Sequence, residues 1–153
     1  MTQPAVTVRV AGPGDLPALL DLYRQLADDR PESLPGPPDV AGPVLAEILA
    51  EPGRALIVAV AAGAVVGTAD MVVVANLTHG AHPWVIVENV VVDETVRGTG
   101  VGKALMAEVV DRARAAGAYK IQLLSRTHRT EAHAFYRSLG FGSSAVGFRR
   151  YLD

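Results

Sequence analysis

The sequence predicts an α/β protein, a mixed sheet flanked by four helices, and three observations carry that prediction. Apolar residues alternate at period two through 5–10, 55–61, 64–76 and 83–92, which is the spacing of strands. They recur at i, i+3 and i+4 through 16–26 and 100–116, the spacing of helices. The second helical run separates the strand ending at Val92 from a strand at 119–124. A strand–helix–strand connection of that kind makes its strands parallel neighbours through a right-handed crossover.

Taken in order, 5–10 (Ala-Val-Thr-Val-Arg-Val) is the first strand. Asp15 stands where a helix cap belongs, Pro17 is tolerated in a first turn, and Leu16, Leu19, Leu20, Tyr23 and Leu26 form one stripe. From Asp28 to Pro43 proline, glycine and acids predict a loop, followed by a short helix at 44–50. Such a loop is either a binding element or a connector. Ala62-Gly63 predicts a hairpin turn between 55–61 and 64–76, and 78–81 a polar turn before the strand 83–92. Val101, Leu105, Val109 and Ala113 share a helix face that stops at Gly117. A last helix at 130–139 places Ala132, Phe135 and Leu139 inward, and 148–152 closes the sheet as a final strand.

Composition narrows the classes. At 153 residues, half of them hydrophobic, the chain is read as a single domain over 1–153. A net charge of -2 gives no electrostatic case for nucleic acid or an anionic membrane. There are no cysteines, so disulfides, thiolate metal sites and a cysteine nucleophile are excluded. The uncharged run 55–69 is shorter than the roughly 18 residues a membrane helix needs and is broken by Gly63 and Gly67. Met1 to Pro4 lacks the pattern of a signal peptide, and the expectation is a cytoplasmic protein.

The chemistry concentrates where the strand 83–92 runs into the helix 100–116. Arg97-Gly98-Thr99-Gly100-Val101-Gly102-Lys103 puts glycine at every second position and opens directly into the helix. Amides in such a turn can approach an anion unobstructed, and the helix N-terminus adds partial positive charge. Arg97 and Lys103 bracket it with fixed charge. A nucleoside-triphosphate loop would need glycine where Arg97 stands and a hydroxyl where Ala104 stands. The dinucleotide fingerprint would need glycine in place of Lys103.

The pattern Arg-x-x-Gly-x-Gly over 97–102 resembles the acyl-CoA pyrophosphate loop of the GNAT superfamily of acetyl-CoA-dependent N-acetyltransferases. A second stretch, Ala132-His133-Ala134-Phe135-Tyr136-Arg137-Ser138-Leu139-Gly140-Phe141, resembles that family's Ala-x-x-Phe-Tyr-x-x-x-Gly-Phe, and the order of elements matches as well. The resemblance implies a twisted sheet of six to seven strands in which 83–92 and 119–125 splay apart. It implies acetyl-CoA as co-substrate, with pyrophosphate on Arg97, Gly98, Thr99, Gly100, Val101, Gly102 and Lys103 and pantetheine along Val90, Val91 and Val92. It implies a small-molecule amine acceptor, no metal, and a homodimer. Peptide N-termini are the alternative acceptors, and a non-catalytic acyl-CoA sensor or a nucleotide-binding module is a competing reading.

In the same resemblance Tyr136 reaches toward the thioester sulfur. A phenol with pKa about 10 is protonated at neutral pH and can donate to a departing thiolate. An ammonium cannot attack a thioester, so a base is required. Glu88 is the candidate, a carboxylate in an otherwise apolar strand, with a structural ion pair to Arg126 or Arg129, or a side chain that faces water, as its other readings. Asn89 is expected on the opposite side of the strand. His79 with His82 and His128 with His133 lack a third ligand; the first pair is read as solvated turn residues or as lining an acceptor pocket. Arg126, Arg129, Arg149 and Arg150 would favour an anionic acceptor if they enter the cleft. Residues 117–121 are similar to glucosamine-phosphate N-acetyltransferases, and 131–136 with the tail to aminoalkylphosphonate N-acetyltransferases.

Overall fold

The computed structural model describes residues 5–152. Along the chain run β1 (Val6–Val10), α1 (Leu16–Leu26), α2 (Pro38–Ala50), β2 (Arg54–Ala61), β3 (Ala64–Val74), β4 (Trp84–Val92), α3 (Val101–Ala115), β5 (Ile121–Leu123) and α4 (Thr130–Ser138). The sheet order is β1-β2-β3-β4-β5, and the first four strands pair antiparallel in sequence. Tyr119 N–H donates to Pro83 O and Val85 N–H to Lys120 O, both at 3.0 Å. These bonds ascend together along both chains, the parallel sense expected across the α3 crossover. The chain forms two compact units, Met1–Gln122 and Leu123–Asp153.

Within the first unit the sheet carries helices on both faces. The register places Ile57, Gly67, Ala69, Met71 and Val87 on one face, against the buried Val101, Leu105, Met106, Val109 and Ala113 of α3. Gly67 sets that distance. A Cβ there would lie 3.0 Å from both Val101 Cγ1 and Leu105 Cδ1 and 3.3 Å from Val91 O. We expect Gly67→Val to lower stability by about 1–3 kcal/mol through overpacking, read as a lower urea midpoint at unchanged slope.

On the other face Leu19, Leu45, Leu56 and Val58 form one cluster with Leu16, Tyr23 and Ile48 packed against it. The helix α2 begins at Pro38, earlier than the loop boundary at Pro43 that the sequence suggested. Pro38 sits in the first turn, where its missing N–H is no loss. Pro43 interrupts one bond near the helix start and leaves the rest intact. Asp15 occupies the N-cap position of α1, but its side chain makes no capping bond to that helix. Its carboxylate takes Arg9 at 2.7 and 2.9 Å and the Gly12 amide at 2.7 Å instead.

The expected strand at 148–152 does not form, so among the described residues the sheet has five strands where six to seven were expected. Period-two spacing from Phe148 puts Arg150 on the apolar face, and a broken face cannot be buried. Phe148 and Leu152 are 93% and 87% exposed. In this second unit α4 stops at Gly140, whose φ of 91° suits glycine alone, and Phe141 N–H then returns to Tyr136 O at 3.0 Å. Ala132, Phe135 and Leu139 are half-buried rather than buried.

Candidate active site

The centre of β4 departs from a regular strand. Between pairs Thr68↔Val91 and Asp70↔Glu88, β3 advances two residues while β4 advances three. The extra residue is a β-bulge, with Asn89 in the left-handed region at φ 51°. The ladder therefore puts Glu88 and Val91 on the same face, that of Asp70 and Thr68. In an unbroken strand Glu88 would have kept company with Val90 and Val92. Glu88 and Asn89 are both exposed. Val90 and Val92 are half-buried and Val91 is buried.

Beneath Glu88 lies a satisfied polar cluster. Asp70, 4% exposed, receives Arg54 in a two-pronged pair at 3.0 and 2.6 Å. Thr68 Oγ1 donates to Ile57 O at 2.8 Å. Burial first, and then the Asp70 charge, push the Tyr23 phenol up to about 12.

Beyond β4 the chain turns through Glu94–Val96 and enters α3 at Gly100, the N-cap, with φ 93°. Gly100 offers no capping side chain, and the first intrahelical bond from α3 is Ala104 N–H to Gly100 O at 3.0 Å. The amides of Val101, Gly102 and Lys103 precede it and have no helical acceptor. Nothing lies within 4 Å of where a Cβ on Gly98 or Gly100 would project. Arg97, Gly98, Thr99, Gly100 and Lys103 are all exposed. Amides without helical acceptors at a helix N-terminus, with two exposed cations close in sequence, are groups that fit a diphosphate.

The turn is held from outside by a residue the sequence reading missed. Gln25, in the last turn of α1, donates from Nε2 to Asp93 Oδ2 at 3.1 Å, and its Oε1 accepts Glu94 N–H at 2.9 Å. Asp93 Oδ1 accepts the Thr95 amide at 2.9 Å and the Thr95 hydroxyl. Those Thr95 bonds, and after them Gln25, hold the Asp93 carboxyl below the usual carboxylate range. Arg97 Nε donates to Val92 O at 3.2 Å.

In the second unit Tyr136 is half-buried, tilted on Phe135 at 5.3 Å and edge-on to Phe141 at 5.8 Å. Burial raises its phenol above the ordinary value, against a smaller lowering by Arg129. No hydrogen bond to its hydroxyl exists among the described residues. His133 Nε2 is engaged by Arg126 O at 2.8 Å. His79 stacks on Tyr119 at 3.9 Å, and His82 Nδ1 lies 3.2 Å from Gly117 O. The two turn histidines thus brace the connection between α3 and β5. Among the described residues no cluster of three His, Cys, Asp or Glu is placed to hold a metal, and no helix is long and apolar enough to cross a membrane.

Residues 19–141, which include the β4 bulge, the glycine turn and the Phe-Tyr helix, match the profile of the Acetyltransferase (GNAT) family. The chain belongs to that family and is an acetyltransferase. It is 32% identical to a glucosamine 6-phosphate N-acetyltransferase of Trypanosoma brucei brucei, over 88% of this chain and 87% of the relative. It is also 32% identical to an aminoglycoside N(6')-acetyltransferase type 1 of Stenotrophomonas maltophilia, over 100% of this chain and 98% of the relative. A solved Agrobacterium tumefaciens str. C58 protein, classed among acetyltransferases, superposes with a TM-score of 0.88 at 40% identity, covering 95% of this chain and 99% of that one.

Proposed function

We propose that this acetyltransferase moves the acetyl group of acetyl-CoA directly onto a primary amine of a small metabolite, with amino sugars and their phosphates the leading acceptors. The observation that carries the reading is the α3 N-terminus, whose cap has no side chain and whose first amides are open to a diphosphate. Bound acetyl-CoA supplies an acetyl group already activated as a thioester. The names of the two relatives point to amines borne on sugars.

This chain's residues divide the remaining work. The amides from Gly98 to Lys103, with Arg97, bind the diphosphate, and Val90 to Val92 offer strand-edge groups to the two amides of pantetheine. A backbone amide of β4 polarises the thioester carbonyl. As nitrogen bonds to the acetyl carbon and the carbon–sulfur bond breaks, Glu88 takes up a proton from the amine, directly or through water. Tyr136 supplies one to the sulfur. With no cysteine in the chain, no acyl-cysteine intermediate intervenes.

A thiol-release screen over aminosugar phosphates, aminophosphonates, aminoglycosides, polyamines and short peptides tests the reading. The expected result is amine-dependent release of free CoA, strongest with an amino sugar. Tight acetyl-CoA binding with no thioester loss across the panel would convert the protein into a sensor. With the acceptor in hand, Glu88→Gln is expected to lower kcat/KM about a hundredfold at neutral pH. It should also abolish the rise of rate with pH that deprotonation of a base produces; a retained wild-type profile removes Glu88 from the role.

A further inference from the structure

The glycine turn is not built by its own residues alone. Its other side-chain bonds are short-range: Thr95 to Asp93, Arg97 to Val92 O, and Thr99 Oγ1 to Val96 O. Gln25 reaches it from 68 residues away and makes two bonds of opposite polarity, one to a side chain and one to the next backbone amide. A primary amide is the group this pair demands. One end must donate to the Asp93 carboxylate and the other must accept from Glu94 N–H. The same Asp93 continues the β-ladder by donating its amide to Val66 O at 2.8 Å. Asp93 is thereby fixed on three sides, and the chain that leaves it toward Gly98 and Gly100 starts from a determined direction.

We propose that Gln25 is a positioning residue for the diphosphate cradle, its side-chain amide clasping Asp93 and Glu94 so that the first amides of α3 are presented as a fixed array. The proposal rests on the reading of that turn as the CoA diphosphate site. It also gives α1 a second task. Gln25 lies two residues before the 27–37 segment, where Ser33 Oγ donates to Arg30 O at 2.7 Å and accepts Asp28 N–H at 3.1 Å. The clasp thus joins the C-terminal end of α1 to the glycine turn.

The polarity of the clasp supplies its own test. Gln25→Glu sets a carboxylate against the Asp93 carboxylate and removes the donor. Adding Asp93→Asn to that variant restores the pattern with the roles exchanged. The amide introduced at 93 can donate to the carboxylate at 25, and its oxygen still serves Thr95. Calorimetry with CoA should show Kd rising about tenfold in Gln25→Glu and returning to within about threefold of wild type in the double variant, a coupling that independent sites do not show. In steady state the loss falls on KM for acetyl-CoA rather than on kcat.

Wild-type affinity in Gln25→Glu, or a double variant no better than that single change, overturns the proposal. So does an affinity loss accounted for by a lowered Tm without rescue. A wild-type chain that does not bind CoA would instead overturn the functional reading. The clasp is then decided by hydrogen exchange at Glu94 N–H, whose protection should fall in Gln25→Glu and recover in the double variant. Unchanged protection sinks it.

Discussion

Replacing Tyr136 by phenylalanine is expected to lower kcat for acetyl transfer about tenfold to a thousandfold while leaving acetyl-CoA affinity close to wild type. The ring keeps its contacts with Phe135 and Phe141, so packing changes little. What disappears is one hydroxyl that has no partner among the described residues and is therefore free to donate. The pH dependence follows from the direction of its shift. Burial raises the phenol pKa above about 10. An acid acts only while protonated, so Tyr136 itself causes no loss of rate until the pH climbs beyond that ordinary range. A variant with full turnover, or a wild-type basic limb falling well below pH 10 that survives Tyr136→Phe, would give the proton to another donor.

The second large effect is at Gly100. Gly100→Val forces a β-branched side chain to φ 93° at the start of α3, where the space around it is open. We expect Kd for CoA to rise about thirtyfold or more, by calorimetry. Strain alone is controlled by Gly117→Val, at the other end of α3, where φ is 74° and the surrounding space is equally open. Both variants should lose thermal stability. Only the first should lose CoA, and equal losses of affinity would reduce the cradle to an ordinary turn.

Much of this was legible before any coordinates because it is local in the chain. Alternating glycines before an apolar i, i+4 stripe announce a helix N-terminus stripped of side chains, and α3 and its turn follow as expected. The β2–β3 hairpin is equally local, since Ala62 and Gly63 both take left-handed conformations between two β-branched runs. What stayed hidden depends on partners distant in sequence. Gln25 looks like any polar residue near a helix end, and nothing around it announces Asp93. The bulge at Asn89 shows only in the count of β4 residues against β3, which presupposes the pairing. At Pro43 a local rule misled. Proline reads as a breaker, yet it interrupts only one bond of a helix already begun at Pro38. At the tail, alternation over five residues was too short a signal to outweigh an arginine on the inward face.

The single unmatched residue in β4 also says how this strand tolerates editing. A pleated ribbon has a two-beat rhythm, and the added beat at Asn89 is absorbed in a local kink, after which the pairing with β3 resumes. Deleting Asn89 would leave one residue between the Asp70↔Glu88 and Thr68↔Val91 pairs on each strand, so the ladder would close into an unbroken one, the left-handed kink would go, and Val91 and Val92 would keep their partners and their sides. That one residue therefore sets the path of β4 toward the glycine turn and not which side its valines take.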